Sequence, residues 1–179
     1  MPQKERKLNR WENFDYTNDR YYFITICVKN REIVFGGVVD KKMTLNKYGL
    51  IIKQQLLWLE NNFAYIKLNE FVIMPNHVHT IIEIDRFNRN YGFEIGPVGT
   101  GRDLSLQIKI KSLSEIMGAF KTTSSKLIHQ RGLTGFHWQR SFYDRVIRDE
   151  NELINIQNYI LSNPLNWEKD RNNLENLLM

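Results

Sequence analysis

The sequence predicts an α+β fold, an antiparallel sheet with helices packed on one face. Three features carry this. Runs rich in β-branched and aromatic residues occupy 21–28, 65–74 and 77–84. Two segments with apolar residues at helical spacing lie at 47–62 and 112–131. A shorter strand-like run, 141–147, follows the second of these and leads into a third helix.

Taken in order, residues 1–19 form a polar N-terminal extension with Trp11, Phe14 and Tyr16 as candidate anchors. Tyr21–Val28 is continuously apolar, as expected of a central strand. Phe35–Val39 and Lys42–Leu45 flank Asp40-Lys41 as a short hairpin. Asn46 is the expected cap of the first helix, whose stripe is Tyr48, Ile51, Ile52, Leu56, Leu59 and Phe63. Pro75-Asn76 turns the chain between the next two strands. Residues 86–111, rich in Asn, Arg, Gly and Pro, read as a long mobile loop. Gly96, Gly99 and Gly101 do not join a strand to a helix, so they make no nucleotide cradle. Ser112-Leu-Ser-Glu115 is a capping box for the second long helix, which Gly132 ends. Phe136–Trp138 and Ser141–Ile147 look strand-like, and Asp149–Glu152 reads as a second capping box opening a helix that stops at Pro164.

At 179 residues the chain suits one folded domain at 20–167, with an acidic tail at 168–179. No apolar run reaches membrane-spanning length, the charged start is unlike a secretion signal, and the single Cys27 lies within an apolar run. These features predict a cytoplasmic protein in a reducing compartment, with no membrane partner. Net charge is +5, unevenly placed. A basic block from Arg102 to Arg148 precedes an acidic C-terminal stretch, which points to a polyanionic partner.

Chemistry concentrates in Phe71-Val-Ile-Met-Pro-Asn-His-Val-His79. On a strand, His77 and His79 share the face opposite the core and Val78 turns inward. Two imidazoles so placed reach one metal ion, although a His-x-His pair also occurs by chance on solvated strands. On the last helix, Tyr159 and Asn163 lie one turn apart on one face. The Asn163 carbonyl oxygen is a hard ligand that complements the imidazoles and favours Mg2+ or Mn2+. A tyrosine beside such an ion can act as a nucleophile on phosphate. The same residues also suit plainer roles, Tyr159 as an aromatic at the edge of the buried face and Asn163 as a helix terminator before proline. A zinc hydrolase would want His-x-Glu or further Cys and His ligands, which His129 and His137 do not supply.

Three ordered motifs sharpen this reading: Phe71–His79, Trp138-Gln-Arg-Ser-Phe-Tyr-Asp-Arg-Val-Ile-Arg148 and Tyr159-Ile-Leu-Ser-Asn-Pro164. Together they resemble the HUH (His-hydrophobic-His) single-tyrosine transposases, most strongly the REP-associated tyrosine transposase branch. Tyr22–Cys27 and Phe35-Gly36 are similar to that family's first strand and its sequel. The likeness spans about residues 20–167 and implies a ferredoxin-like (RRM-like) sheet. It also implies a metal site at His77, His79 and Asn163, with Tyr159 as nucleophile. The implied reaction cleaves and rejoins single-stranded or hairpin DNA through a 5′-phosphotyrosine link, using Mg2+ or Mn2+. Lys121, Lys126, Arg140, Arg145 and Arg148 are the expected DNA contacts, with Trp138 and Tyr143 as stacking platforms. Arg145 departs from the histidine that many members carry there. The alternative is a binding module for single-stranded DNA without turnover, and either would work as a monomer or homodimer.

Overall fold

The computed structural model describes residues 20–85 and 110–173. The N-terminal extension 1–19, nearly all of the loop expected at 86–111, and Leu174 in the tail lie outside the described residues.

Among the described residues, six strands and three α-helices follow the chain as β1 (Arg20–Cys27), β2 (Gly36–Val39), β3 (Lys42–Leu45), α1 (Lys47–Asn62), β4 (Ile66–Ile73), β5 (His77–Ile84), α2 (Leu113–Gln130), β6 (Tyr143–Val146) and α3 (Glu150–Ser162). The main sheet is antiparallel, in the order β4-β5-β1-β6, while β2 and β3 form a separate hairpin. Leaving the hairpin aside, this is a β-α-β-β-α-β chain with its first and third strands central, the ferredoxin-like arrangement.

Local chemistry accounts for the elements. Asn46 caps α1 by accepting from the backbone of Tyr48 and Gly49. Ser112 and Glu115 form the reciprocal capping box of α2. At α3 the box is only half made. Asp149 accepts from the Glu152 backbone, but the Glu152 carboxylate reaches back one residue further, to the Arg148 N–H. A second difference lies at Phe136–Trp138, which is no strand. Trp138 makes one isolated bridge to Val28 and fills the core, its indole N–H donating to Ser124 Oγ at 3.0 Å. The stacking platform expected at Trp138 is thus a core residue.

The main core lies on one face of the sheet. Tyr22, Ile24, Ile26, Val78, Ile82 and Ile84 pack there against Ile52, Leu56 and Leu59 of α1 and Ile116, Met117 and Phe120 of α2. Alternation along β1 and β5 sends Phe23, Thr25, Cys27, His77, His79 and Ile81 to the opposite face. There a smaller cluster of Ile81, Ile147 and Ile160 seats α3, with Phe23, Val72, Leu153 and Ile156 around it. A β-bulge between Leu68 and Glu70 interrupts β4, and Asn69 within it accepts from the Gln157 side chain at 2.7 Å. That bond ties α3 to the sheet edge. Among the described residues, no helix is long and apolar enough to cross a membrane.

Candidate active site

Strand register assembles the site. Tyr143, Thr25 and His79 stand opposite one another across β6, β1 and β5, and Cys27 stands opposite His77. Both histidines face away from the main core, yet they are not solvent-facing: His77 is 0% and His79 1% exposed. The small cluster explains this, because it brings α3 and the following 3-10 turn (Pro164–Lys169) across the histidine face. Trp167 stacks on His77 with ring centroids 6.1 Å apart, and Phe23 stacks on His79 at 5.4 Å.

The two Nε2 atoms converge to 3.1 Å. His77 Nδ1 is 2.8 Å from Asn76 Oδ1, so its N–H donates there and its Nε2 lone pair faces inward. His79 Nδ1 is 2.8 Å from Thr25 Oγ1, a hydroxyl that can donate or accept and so accommodates either tautomer. Partners of this kind orient metal-binding histidines. Asn76 is fully buried and also donates to the carbonyls of Arg31 (2.8 Å) and Asn172 (2.7 Å). Burial holds His77 down to about 3, aided by the charges of Arg31 and Arg171. Burial likewise holds His79 well below its ordinary value. Both rings are therefore neutral at physiological pH, the form that binds metal.

The residues fit a divalent ion. Neighbouring ligands at about 2.1 Å in an octahedron lie about 3 Å apart, the spacing seen between the histidine nitrogens. Asp170 adds a carboxylate 3.9 Å from His77 Nε2, and the three ligand atoms lie within 4.8 Å of one another. Asn163 is buried, and its Oδ1 has no hydrogen-bond partner among the described residues. An orphaned buried oxygen beside this group is costly unless something is bound there.

Tyr159 is 43% exposed, with its hydroxyl 3.4 Å from His79 Nε2. Burial and the Asp170 charge raise its pKa, while a hydrogen bond from the Asn163 side chain and the Arg171 charge oppose the rise. A cleft of about 570 Å³ opens at this hydroxyl, lined by Phe23, Thr25, His79, Tyr143, Arg145, Tyr159 and Arg171 among others.

The structure therefore brings His77, His79, Tyr159 and Asn163 together, while the expected DNA contacts scatter. Lys121 is half-buried and donates to the carbonyls of Gln139 (2.7 Å) and Ser141 (3.0 Å); burial lowers its pKa to about 8. Arg145 lines the cleft but pairs with Glu152. Arg148 and Arg140 are exposed near β6. Lys126 is exposed on α2, in the helical layer on the far side of the sheet from the histidines. Sequence reasoning missed Asn76, read there as a turn, and Thr25, read as part of an apolar run. It also missed Asp170 and Arg171, assigned by composition to the acidic tail; residues 168–173 close one side of the site. The alternation Phe23, Thr25, Cys27 was the available signal for Thr25.

No family model matches the sequence. An uncharacterized protein of Haemophilus influenzae is 34% identical over 175 residues, covering 93% of this chain and 92% of its own. The chain belongs to one family with it. A second Haemophilus influenzae protein, described as "Putative REP-associated tyrosine transposase", is 22% identical over 151 residues, covering 84% of this chain and 73% of its own. A REP-associated tyrosine transposase solved bound to a REP hairpin superposes with a TM-score of 0.57 at 17% identity, covering 88% of this chain and 73% of that one. At that identity the superposition establishes a shared fold. The resemblance read from the motifs thus recurs in a distant sequence relative and in the fold.

Proposed function

We propose that the chain is a transposase-type nuclease and strand transferase that cleaves and rejoins single-stranded DNA near hairpins through a 5′-phosphotyrosine intermediate. One observation carries the proposal: an accessible tyrosine hydroxyl lies 3.4 Å from one of two buried, neutral histidines whose nitrogens converge at 3.1 Å. The name of the Haemophilus influenzae relative and the hairpin bound to the solved neighbour support the choice of substrate.

His77, His79, Asp170 and Asn163 would hold Mg2+ or Mn2+, which supplies charge neutralisation and orientation at the scissile phosphate. Tyr159 attacks phosphorus in line with the departing 3′ oxygen; its oxygen–phosphorus bond forms as the bond to the 3′ oxygen breaks. The tyrosine proton leaves toward the cleft and the 3′ oxygen takes one up. The phosphodiester is exchanged rather than hydrolysed, so an incoming 3′ hydroxyl can reverse the step without ATP. Asn163 supports the developing phenolate by donating to it. Tyr143, 52% exposed in the same cross-strand row, offers a ring on which a flanking base can stack.

The test is incubation with single-stranded hairpin oligonucleotides and Mn2+, followed by denaturing electrophoresis. A covalent adduct in the wild type that disappears in Tyr159→Phe is expected. Tight binding with no adduct would point instead to a DNA-binding module.

A further inference from the structure

Among the described residues, the cleft at Tyr159 has two cationic side chains in its lining, Arg145 and Arg171. They differ in what they are free to do. Arg145 is committed to Glu152 on α3. Arg171 is exposed, and among the described residues its guanidinium has no ion-pair partner. Its backbone, by contrast, is fixed. The Arg171 carbonyl accepts from the Arg31 guanidinium, and the neighbouring Asn172 carbonyl accepts from buried Asn76, the residue that orients His77. The Asn172 N–H donates to Asp170 Oδ1 at 2.6 Å, and the Asn173 N–H to the Asp170 carbonyl at 3.0 Å. The segment is thus pinned to the floor of the metal site, while the Arg171 side chain at its mouth has no ion-pair partner among the described residues. Residues placed around Arg171 on both sides are buried: Asp170 at 5% side-chain exposure, Asn172 at 3% and Asn173 at 4%.

We infer that Arg171 is the phosphate-holding residue of this cleft, its guanidinium fork gripping the phosphate that Tyr159 attacks or the one beside it. The inference deepens the proposed function and rests on it for the identity of the phosphate. A guanidinium is suited to this because its planar donors match two phosphate oxygens at once, whereas an ammonium offers only a point charge. Charge accumulating on the equatorial oxygens during in-line transfer is stabilised best by a donor already in position. Arg171, on a fixed backbone and without an ion-pair partner among the described residues, meets that requirement; Arg145, paired with Glu152, meets it less well.

The experiment uses the full chain as wild type, Arg171→Ala and Arg171→Lys, each also in a Tyr159→Phe background. The probe is a pool of single-stranded hairpin oligonucleotides with Mn2+. In the Tyr159→Phe background, log affinity is measured against log salt. Arg171→Ala is expected to flatten that slope by about 0.7, the amount for one lost phosphate contact on a single strand. Arg171→Lys should restore the slope. With Tyr159 present, Arg171→Ala should slow adduct formation at saturating DNA about 100-fold, in the range found for loss of one positioned charge-stabilising donor, and Arg171→Lys should recover only part of that rate. Melting temperatures should be unchanged, because only the backbone of Arg171 holds the fold. A slope unchanged in Arg171→Ala overturns the inference, as does a melting temperature that falls in step with the rate, or a probe pool that fails to bind. An adduct that forms equally well in wild type and Arg171→Ala defeats the inference and leaves the proposed function standing. No adduct in wild type, with a slope that still responds to Arg171, defeats the proposed function and leaves the phosphate contact standing.

Discussion

Asn76 shows how much one buried amide can decide at the residue scale. Its Oδ1 sets the His77 tautomer, and its amide nitrogen bridges the carbonyls of Arg31 and Asn172. Asn76→Ala should therefore weaken Mn2+ binding about 10- to 100-fold by calorimetric titration. It should also cost about 1–3 kcal/mol of stability, because buried carbonyls lose their donors. Tyr159→Phe is the contrasting case: the ring keeps its contacts with His79 and Phe23, so melting should be nearly unchanged while the covalent adduct is lost. The histidines add a pH dependence. His77 takes its proton near pH 3 when folded and near 6.5 when unfolded, so between those values the unfolded chain binds more protons. Its contribution to stability is present above pH 6.5 and is lost as pH falls toward 3. In chelator, the melting temperature of the wild type should drop from pH 6.5 to 5 more steeply than that of His77→Gln. Parallel curves would contradict the assignment of a neutral buried imidazole.

Helix α3 carries the nucleophile candidate, and its seating is slight compared with that of α1 and α2. Ile160 is its one fully buried side chain, packed with Ile81 and Ile147 one residue along from Tyr159. Truncating it leaves a cavity beneath the tyrosine. Ile160→Ala should cost about 2–5 kcal/mol in urea denaturation. Adduct formation should fall more than DNA affinity does, since the hydroxyl loses its position against His79 while the cationic surface is untouched. The Asn69–Gln157 bond at the β4 bulge fixes the same helix from its other side.

For the whole molecule, the cations divide into those the fold uses and those it leaves exposed. Lys121 joins α2 to the segment leading into β6 through two carbonyls, and Arg145 joins β6 to α3 through Glu152. Arg140 is exposed in the segment between Trp138 and β6. Lys121→Ala should accordingly lower the melting temperature and leave the salt dependence of DNA binding unchanged. Arg140→Ala should flatten the log–log salt slope by about 0.7 with little change in melting, and should weaken binding to all sequences alike.

The elements were legible in the sequence because their determinants are local. Runs of β-branched and aromatic residues wrote β1 and β5, helical spacing wrote α1 and α2, and the caps at Asn46 and Ser112 marked where the helices begin. The histidine pair and Tyr159–Asn163 were legible for the same reason, since residues two apart on a strand or four apart on a helix share a face. Burial of the histidines was not local. It depends on α3 crossing the sheet face that carries Ile81, and on a segment after Pro164 that returns to His77. Asn76, Thr25, Asp170 and Arg171 belong to the site through pairings 45 to 140 residues apart in sequence, such as those linking Asn76 to Arg31 and Arg31 to Arg171. Composition called residues 168–173 a tail because acidic and Asn-rich stretches are usually solvated. Tertiary structure made them a wall of the site, because buried carbonyls and imidazoles need partners that only a distant stretch of chain could supply.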